Sequence, residues 1–218
     1  MVSNDVEHGY WNFRGFAGFT RLTLAAAGAE YTEKAYDFAN KESWAEDAKP
    51  KLDTHLPNLP YLKVDGVVVS EHDAVMRVAA NKWKPALLGA TDAEKHLVET
   101  YWAALIKTNM AVRSTHWKDS TEEEHQKSVE AHDKLLSAID KRLGEGKWIA
   151  SADVSIVDIY FHEILLALKL THKDSLAKYT NFQRWEDDFH AQEWYKNFTA
   201  TDKWFERPLY PPHAKINT

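Results

Sequence analysis

A tyrosine at the end of the first predicted strand is the first candidate for chemistry in this 218-residue chain. Residues 9–16 end a predicted strand with Tyr10 and begin a helix directly afterwards. Apolar residues recur at helical spacing over 17–27, and Gly28 is of the type that closes helices. A phenolic donor beside the positive end of a helix dipole can stabilise a bound anion, including a thiolate. Tyr10 and Trp11 are equally consistent with ordinary strand aromatics.

A proline-rich motif separates these two interpretations. Leu-Pro-Asn-Leu-Pro-Tyr-Leu at 56–62 places two prolines around a dipeptide, immediately before a predicted strand. Together with Gly-Tyr-Trp-Asn-Phe-Arg-Gly at 9–15 and Ala-Val-Met-Arg at 74–77, it resembles the mu class of the glutathione transferase family. Trp-Ile-Ala at 148–150, leading into Ser-Ile-Val-Asp at 155–158, is similar to the family's C-terminal segment. The resemblance therefore covers nearly the whole chain.

The order of the predicted elements agrees with the fold that this resemblance implies. The patterns predict strands at 6–13 and 31–38, a helix at 16–27 between them, a hairpin of strands at 61–64 and 67–70, and a helix at 71–82. The right-handed crossover rule makes the first two strands parallel neighbours, and Asp65-Gly66 is a strong hairpin signal. These elements predict an α/β, thioredoxin-like N-terminal domain over residues 1–84. The resemblance implies a cis peptide bond at Pro60.

The rest of the chain shows helical patterns and no convincing strand. Helices are predicted over 92–117, 120–143 and 156–170, which gives an all-α C-terminal domain over 92–218. Thr91 to Glu94 is a capping pattern, and Gly-Glu-Gly at 144–146 is a stop signal. Ser155 and Asp158 are interpreted as a capping-box variant, which is a folding signal. Although His162 lies nearby in the sequence, these residues are not interpreted as a catalytic site. The proline-rich tail at 207–212 is expected to lie across the surface.

Composition excludes several classes of function. Lys and Arg number 27 against 33 Asp and Glu, and the basic residues form no stripe, so no nucleic-acid partner is expected. There is no cysteine, so any thiol chemistry must use a thiol from the substrate. Apolar stretches are too short to cross a bilayer, and no secretory signal is recognisable at the start, so a cytoplasmic protein without membrane partners is expected. His116, His125 and His132 lack metal-site spacing, so no metal is expected.

The resemblance implies a glutathione-dependent reaction with Tyr10 as the catalytic residue. Free glutathione holds its thiol mostly protonated at neutral pH, so an enzyme must favour the thiolate. Lowering the thiol pKa by about two units requires about 2.7 kcal/mol. A short hydrogen bond from a tyrosine hydroxyl together with a helix N-terminus is of that size. Glutathione is therefore the expected co-substrate.

Further glutathione contacts follow from the resemblance. The matching positions are Trp11, Lys41, Trp44, Lys49, Asn58 and Leu59. The Leu59 backbone would pair with the cysteinyl portion, as an added strand would, whereas Trp44 and Lys49 would meet the glycyl carboxylate. Lys41 stands where the family tends to have arginine, which exchanges a bidentate fork for a point charge. Both lysines also fit ordinary solvated surface positions.

The sharpest departure from the family pattern is His72, which replaces a serine that grips the γ-glutamyl carboxylate at a helix start. Glu71 can still accept from the γ-glutamyl amine, and the backbone at the helix start can donate whatever the side chain. An imidazole facing that carboxylate would titrate near pH 6.5 and tighten glutathione binding as pH falls from 8 towards 6. The alternative is that His72 points to solvent and the backbone amide alone holds the carboxylate.

The expected reaction is conjugation of the glutathione thiolate to small hydrophobic electrophiles, a detoxification chemistry, in a homodimer. Phe13, Phe16 and helices of the second domain would hold the electrophile. Trp117 lies near the position of a family tyrosine that assists the chemistry, and it lacks that hydroxyl. Two alternatives stay open: a non-catalytic protein of this fold that binds ligands or has a structural role, and an isomerase or peroxidase that uses the same thiolate.

Overall fold

The N-terminal part of the chain is a four-stranded sheet packed against two helices. We analysed a computed structural model that describes residues 6–116, 121–171, 173–206, 209–211 and 214. The N-terminal elements are β1 (Glu7–Trp11), α1 (Ala17–Ala27), β2 (Thr32–Tyr36), β3 (Tyr61–Val64), β4 (Val67–Ser70) and α2 (His72–Trp83). The sheet order is β2-β1-β3-β4. The predicted α/β, thioredoxin-like N-terminal domain followed by an all-helical part is confirmed.

The strand pairing follows the predicted topology. β1 pairs with β2 in parallel, with Tyr10 opposite Ala35, and β3 pairs antiparallel with both β1 and β4. The hairpin turns at Asp65 and Gly66, which both have positive φ, as a tight two-residue turn requires. The peptide bond between Leu59 and Pro60 is cis, as expected. β1 therefore ends in the middle of the sheet, next to the loop that carries this bond.

Five helices make up most of the remaining described chain. They are α3 (Asp92–His116), α4 (Glu122–Glu145), α5 (Ile156–Thr171), α6 (Phe182–His190) and α7 (Glu193–Thr199). At the start of α3 the Glu94 N–H donates to Thr91 Oγ1 at 3.2 Å, and the Thr91 N–H donates to Glu94 Oε2 at 3.0 Å, which is the predicted box. None of the helices in the described ranges combines the length and the hydrophobicity needed to span a bilayer.

Asp158 joins the helices of the C-terminal part from inside the core. Its buried carboxylate accepts hydrogen bonds from the Ser155 N–H, the Ile149 N–H and the Trp185 indole N–H. These contacts support the interpretation of Ser155 and Asp158 as a folding signal. His162 is not hydrogen-bonded to either of them; its ring nitrogens lie 3.0 Å from Glu163 and His190.

The C-terminal tail differs from the expectation. Leu209, Tyr210 and Ala214 are buried in the main hydrophobic core, and the Gly15 N–H donates to the Leu209 carbonyl at 3.1 Å. Burying the apolar side chains of Leu209 and Tyr210 removes their surface from water, which is more favourable than leaving them exposed. This part of the tail closes one side of the region around Tyr10.

Candidate functional site

Tyr10 lies at the C-terminal part of β1, where the chain turns sharply into α1. Its ring is buried and packs edge-on against Phe13 with 5.6 Å between ring centroids. The Phe16 N–H, at the start of α1, donates to the Tyr10 hydroxyl oxygen at 3.0 Å. Gly15 makes this turn at φ +45°, and a Cβ there would lie 2.5 Å from the hydroxyl oxygen. Glycine is therefore required for the hydroxyl to meet the helix start.

The Tyr10 hydroxyl is held as a protonated donor. Burial raises its pKa, and the opposing contributions of the Phe16 N–H and of Arg113 are smaller. Because its oxygen already accepts from Phe16, the O–H remains available for an acceptor brought by a ligand. This arrangement has the properties required of a residue that stabilises a thiolate.

A cavity of about 230 Å³ opens beside this hydroxyl. Its walls include Tyr10, Trp11, Phe13, Phe38, Arg113 and Pro211. Phe13, one of the residues expected to hold an electrophile, therefore lies in the cavity wall. Phe16 lies behind it, with its ring centroid 4.6 Å from that of His72 and the Arg113 guanidinium carbon 4.3 Å above it. Trp117 lies outside the described residues.

Sequence reasoning missed Arg113. Its side chain is only 6% exposed, and its Nε donates to Asn109 Oδ1 at 2.9 Å. One terminal nitrogen also donates to the Gly15 carbonyl at 3.4 Å. A signal was present, because Arg113 follows Leu105 and Asn109 at four-residue intervals on one face of α3. Arginine is rarely buried, so an arginine on the inward-facing side of a predicted helix indicates a candidate functional residue.

The expectation for the His72 side chain is wrong. Its imidazole turns into the interface between the two parts of the molecule, where Nε2 lies 2.9 Å from the Tyr160 hydroxyl oxygen. Asn109 Nδ2 also donates to that oxygen, at 3.0 Å. Burial, and then the positive charge of Arg113, lower the pKa of His72 to about 4. The ring therefore neither points to solvent nor titrates near neutral pH, because burial and the nearby Arg113 charge disfavour its charged form.

The start of α2 presents backbone donors and a strained residue. Glu71 precedes the helix at φ 72°, in a region that non-glycine residues rarely adopt, and its Oε1 accepts from Asn58 Nδ2 at 2.8 Å. Within the described residues, the N–H groups of His72 and Asp73 donate to no other backbone group. The backbone of Leu59 is likewise unused by any backbone hydrogen bond of the described chain. These groups can receive an extended peptide that ends in a carboxylate.

The other expected glutathione contacts lie around one aromatic cluster. Trp44 is buried, with its ring centroid 5.2 Å from that of Tyr36, and Trp11 packs edge-on against Phe38 at 5.2 Å. The Lys41 ammonium lies 4.4 Å above the Phe38 ring. Lys49 is exposed at the first position of a short 3₁₀ turn. The structure thus brings Trp11 and Lys41 together at Phe38, whereas the Lys49 side chain is exposed although its backbone N–H donates to the Trp44 carbonyl.

Three histidines are considered as metal ligands from the sequence: His116, His125 and His132. No group of three or more His, Cys, Asp or Glu side chains in the described part of the molecule is arranged to hold a metal ion. The side chains of His116 and His125 lie outside the described set. Of the three, only His132 can be placed, and burial lowers its pKa.

Comparison with known families matches both parts of the chain. The family description "Glutathione S-transferase, N-terminal domain" matches residues 6–81. "Glutathione S-transferase, C-terminal domain" matches residues 96–193. The two matches follow one another in the order of the two structural parts.

Individual relatives agree with this assignment at modest identity. Glutathione S-transferase Mu 5 of Mus musculus is 26% identical over 221 residues, which cover 99% of this chain and 97% of the relative. Glutathione S-transferase Mu 1 of Homo sapiens is 25% identical over 94% of this chain and 95% of its own. A monomeric glutathione S-transferase from the hookworm Necator americanus has a TM-score of 0.78 at 16% identity, over 93% of this chain and all of that chain. That structural likeness shows the fold alone.

Proposed function

We propose that this chain, which belongs to the glutathione S-transferase family, conjugates the thiolate of glutathione to small hydrophobic electrophiles. One observation carries the proposal. The Tyr10 hydroxyl is fixed by the Phe16 N–H at the wall of an apolar cavity, with its own proton available. Nothing in the comparisons favours the alternative of a non-catalytic protein of this fold.

In the proposed reaction, the role of Tyr10 is to donate a hydrogen bond. Its O–H donates to the glutathione sulfur, and the thiol proton leaves to solvent, so the sulfur carries the negative charge that attacks carbon. The positive end of α1 acts through the Phe16 N–H, which polarises the phenol oxygen. In a substitution, the new C–S bond replaces a bond to a leaving anion. In an addition, the C–S bond forms as the π electrons move to a carbon that then takes a proton.

The peptide part of glutathione would extend along the edge made by the cis-proline loop and α2. We assign the Leu59 backbone to the cysteinyl portion and the backbone N–H groups at the start of α2, at His72, to the γ-glutamyl carboxylate. Asn58 and Glu71 are hydrogen-bonded to each other, and Glu71 can accept from the γ-glutamyl amine. The His72 ring takes no part in this contact.

The glycyl carboxylate would lie near the aromatic cluster. We assign Trp11, Lys41, Trp44 and Lys49 to this end of glutathione. Lys41 has the stronger support because it lies over Phe38, a residue of the cavity wall. Trp44 would act by shaping the surface, since its ring is buried against Tyr36.

We propose that the two parts of the molecule bind different substrates. We assign residues 1–84 to glutathione binding and residues 92–218 to the electrophile surface, with Phe13 and Phe16 contributing from the first part. Trp117 is assigned to that surface on the family resemblance alone. We also propose a homodimer in which the first domain of one chain meets the second domain of the other. Sedimentation of a 25 kDa particle at micromolar concentration would contradict the dimer. A cytoplasmic location is part of the proposal, and cell fractionation tests it.

Two measurements on the full chain test the function. Retention on immobilised glutathione, with elution by free glutathione, tests binding. Conjugation of a generic chloronitrobenzene, followed by the absorbance of the thioether, tests chemistry. Retention together with conjugation above the uncatalysed rate is the expected result. Retention without conjugation of any electrophile tried would support a ligand-binding protein instead.

A further inference from the structure

Arg113 is a buried cation in the wall of the cavity beside Tyr10. Its side chain is 6% exposed, and none of the described residues forms an ion pair with it. By contrast, buried Arg14 pairs with Glu163 and buried Arg21 pairs with Glu33. Burying a charge is costly unless it is paired. The absence of an acidic partner for Arg113 among the described residues therefore needs an explanation.

The contacts that Arg113 does make only partly compensate for burial. Its Nε donates to Asn109, and one terminal nitrogen makes a long 3.4 Å hydrogen bond to the Gly15 carbonyl. The rings of Phe16 and Tyr210 lie 4.3 and 5.3 Å from the guanidinium carbon. Aromatic faces attract a cation but accept no conventional hydrogen bond. A guanidinium has five N–H donors, so donors remain for a ligand.

The guanidinium also lies where a ligand can reach it. Arg113 lines the same cavity as Tyr10, Phe13 and Phe38. Its position is fixed from behind, because Asn109 accepts from Arg113 and donates to Tyr160, and Tyr160 in turn meets His72. A fixed cation at the wall of an otherwise aromatic cavity is a site for the anionic end of an apolar molecule.

We propose that Arg113 makes the electrophile site selective for substrates that carry a carboxylate on an apolar body. The inference rests on the proposed transferase function and names its substrate class. The carboxylate pairs with the guanidinium, the apolar body lies against Phe13 and Phe38, and the reactive carbon faces the sulfur held at Tyr10.

The reaction of such a substrate balances without a further reactant. With an aryl enone, the glutathione sulfur forms a C–S bond to the β-carbon, and the C=C π pair moves to give an enolate. The enolate takes one proton from water, which replaces the proton lost by the thiol. The carboxylate on the aryl ring is unchanged and remains paired with Arg113.

A different role for Arg113 makes a different prediction. If its charge served mainly to stabilise the thiolate, every electrophile would benefit equally, because the sulfur is common to all of them. If it binds the substrate carboxylate, only anionic electrophiles benefit. The ratio of kcat/KM for an acid to kcat/KM for its ester separates the two roles.

The experiment uses 4-(3-oxobut-1-enyl)benzoate and its methyl ester, each normalised to its uncatalysed rate with glutathione. We expect the wild-type ratio of acid to ester to exceed one. Arg113→Gln should lower this ratio about 10- to 100-fold, the size of a hydrogen-bonded ion pair to a fixed guanidinium. Arg113→Lys should lower it less, because a point charge remains. Lys107→Gln removes one charge from the exposed face of the same helix and should leave the ratio within about twofold.

Several outcomes would overturn the inference. A wild-type ratio at or below one would do so, as would an equal loss for acid and ester in Arg113→Gln. If Arg113→Gln does not fold, an unchanged ratio in Arg113→Lys would also count against it. Failure of the proposed function is distinguishable, because the wild-type protein would then conjugate neither the acid nor the ester.

Discussion

The thiol end and the peptide end of the proposed glutathione site are built in opposite ways. At the thiol end, Tyr10 is buried, and its surroundings come from distant parts of the chain: Arg113 is 98 residues from the glycine it contacts, and Arg14 is 149 residues from Glu163. At the peptide end, Lys41, Lys49 and Glu71 are exposed. The side-chain hydrogen bond from Asn58 to Glu71 there spans 13 residues.

The difference matches what each end must do. A hydroxyl that stabilises a thiolate has to be held within a few tenths of an ångström, which requires a packed and over-determined surrounding. A peptide carboxylate can be held by backbone donors and mobile lysines, each of which contributes little. Substitutions should therefore have large effects at the thiol end and small ones at the peptide end.

Arg14→Met should have the largest effect, on stability. Arg14 donates to both carboxylate oxygens of Glu163, at 3.0 and 2.6 Å, and both side chains are about 2% exposed. Removing the cation leaves the buried Glu163 carboxylate without its guanidinium partner, and breaking a buried pair in this way costs about 3–5 kcal/mol. Urea unfolding followed by tryptophan fluorescence measures the loss.

The control for this prediction is Arg77→Met. Arg77 makes a similarly short contact, 2.6 Å, to Glu99, but both side chains are well exposed. Exposed pairs contribute about 0–1 kcal/mol. Equal losses in the two variants would show that burial of the Arg14 pair has no special weight.

Tyr10→Phe should have the next largest effect, on turnover. The ring remains packed against Phe13, but the sulfur loses its hydrogen-bond donor. We expect kcat to fall by about one to two orders of magnitude, or roughly 1.4–2.8 kcal/mol. Affinity for an S-alkyl glutathione should change by less than about threefold, because the hydroxyl acts on the thiolate. If Tyr10→Phe keeps the wild-type kcat at pH 6.5, under conditions where chemistry limits the rate, Tyr10 is not the activator. Tyr179→Phe, which removes a hydroxyl bonded to Asp133, is the matched control.

His72 should make the stability of the protein depend on pH. Its folded pKa of about 4 lies below the unfolded value of 6.5, so the unfolded chain binds more protons between these values. Stability contributed by neutral His72 is therefore present above pH 6.5 and is lost as pH falls towards 4. Between pH 7.5 and 5.0, the wild type should lose about 1–2 kcal/mol more than His72→Gln does. Urea titrations at several pH values measure this.

The pH dependence of ligand affinity in His72→Gln is a separate test. Affinity for S-hexyl glutathione between pH 6 and 8 should follow parallel profiles in wild type and His72→Gln, because the imidazole faces Tyr160 rather than the peptide. Exposed His55→Gln should leave both the stability and the binding profiles parallel to wild type. A wild-type affinity that rises towards pH 6, and is flat in the variant, would place the imidazole at the carboxylate after all.

The sequence predicted what depends on local signals. β3 and β4 begin and end as expected because Asp65 and Gly66 fix the turn between them. The stop signal at Gly144 predicts that α4 ends at residue 143, but the helix continues to Glu145. A single glycine inside a helix costs only about 1 kcal/mol, and tertiary packing readily offsets it.

The parts of the site that the sequence could not predict depend on contacts between distant elements. Tyr10 was predictable because its motif and the start of α1 are adjacent in the chain. The direction of the His72 ring is decided by Tyr160, 88 residues away, and the role of Arg113 by the Gly15 turn, 98 residues away. No local pattern specifies such pairings in a single sequence.

The smallest effects should come from the lysines of the peptide end. In Lys41→Gln, a charge above the Phe38 ring is lost from an exposed position. If that charge attracts the glycyl carboxylate, KM for glutathione should rise about two- to fourfold at low salt, with kcat nearly constant. The effect should fade in 0.5 M salt, where screening is strong. Steady-state kinetics at two salt concentrations measure both changes.

Two matched controls decide whether the lysine acts on the glycyl carboxylate itself. Lys127→Gln removes an equally exposed charge from α4 and should leave KM unchanged, which corrects for net charge. Glutathione amidated at glycine lacks the carboxylate, so wild type and Lys41→Gln should use it equally well. Lys49→Gln should behave like Lys41→Gln but with a smaller change, because the Lys41 ammonium lies over a ring of the cavity wall whereas the Lys49 ammonium packs on no ring in the described part of the chain. If Lys41→Gln raises KM equally for glutathione and its amide, the charge acts elsewhere, and the peptide end is held by the backbone alone.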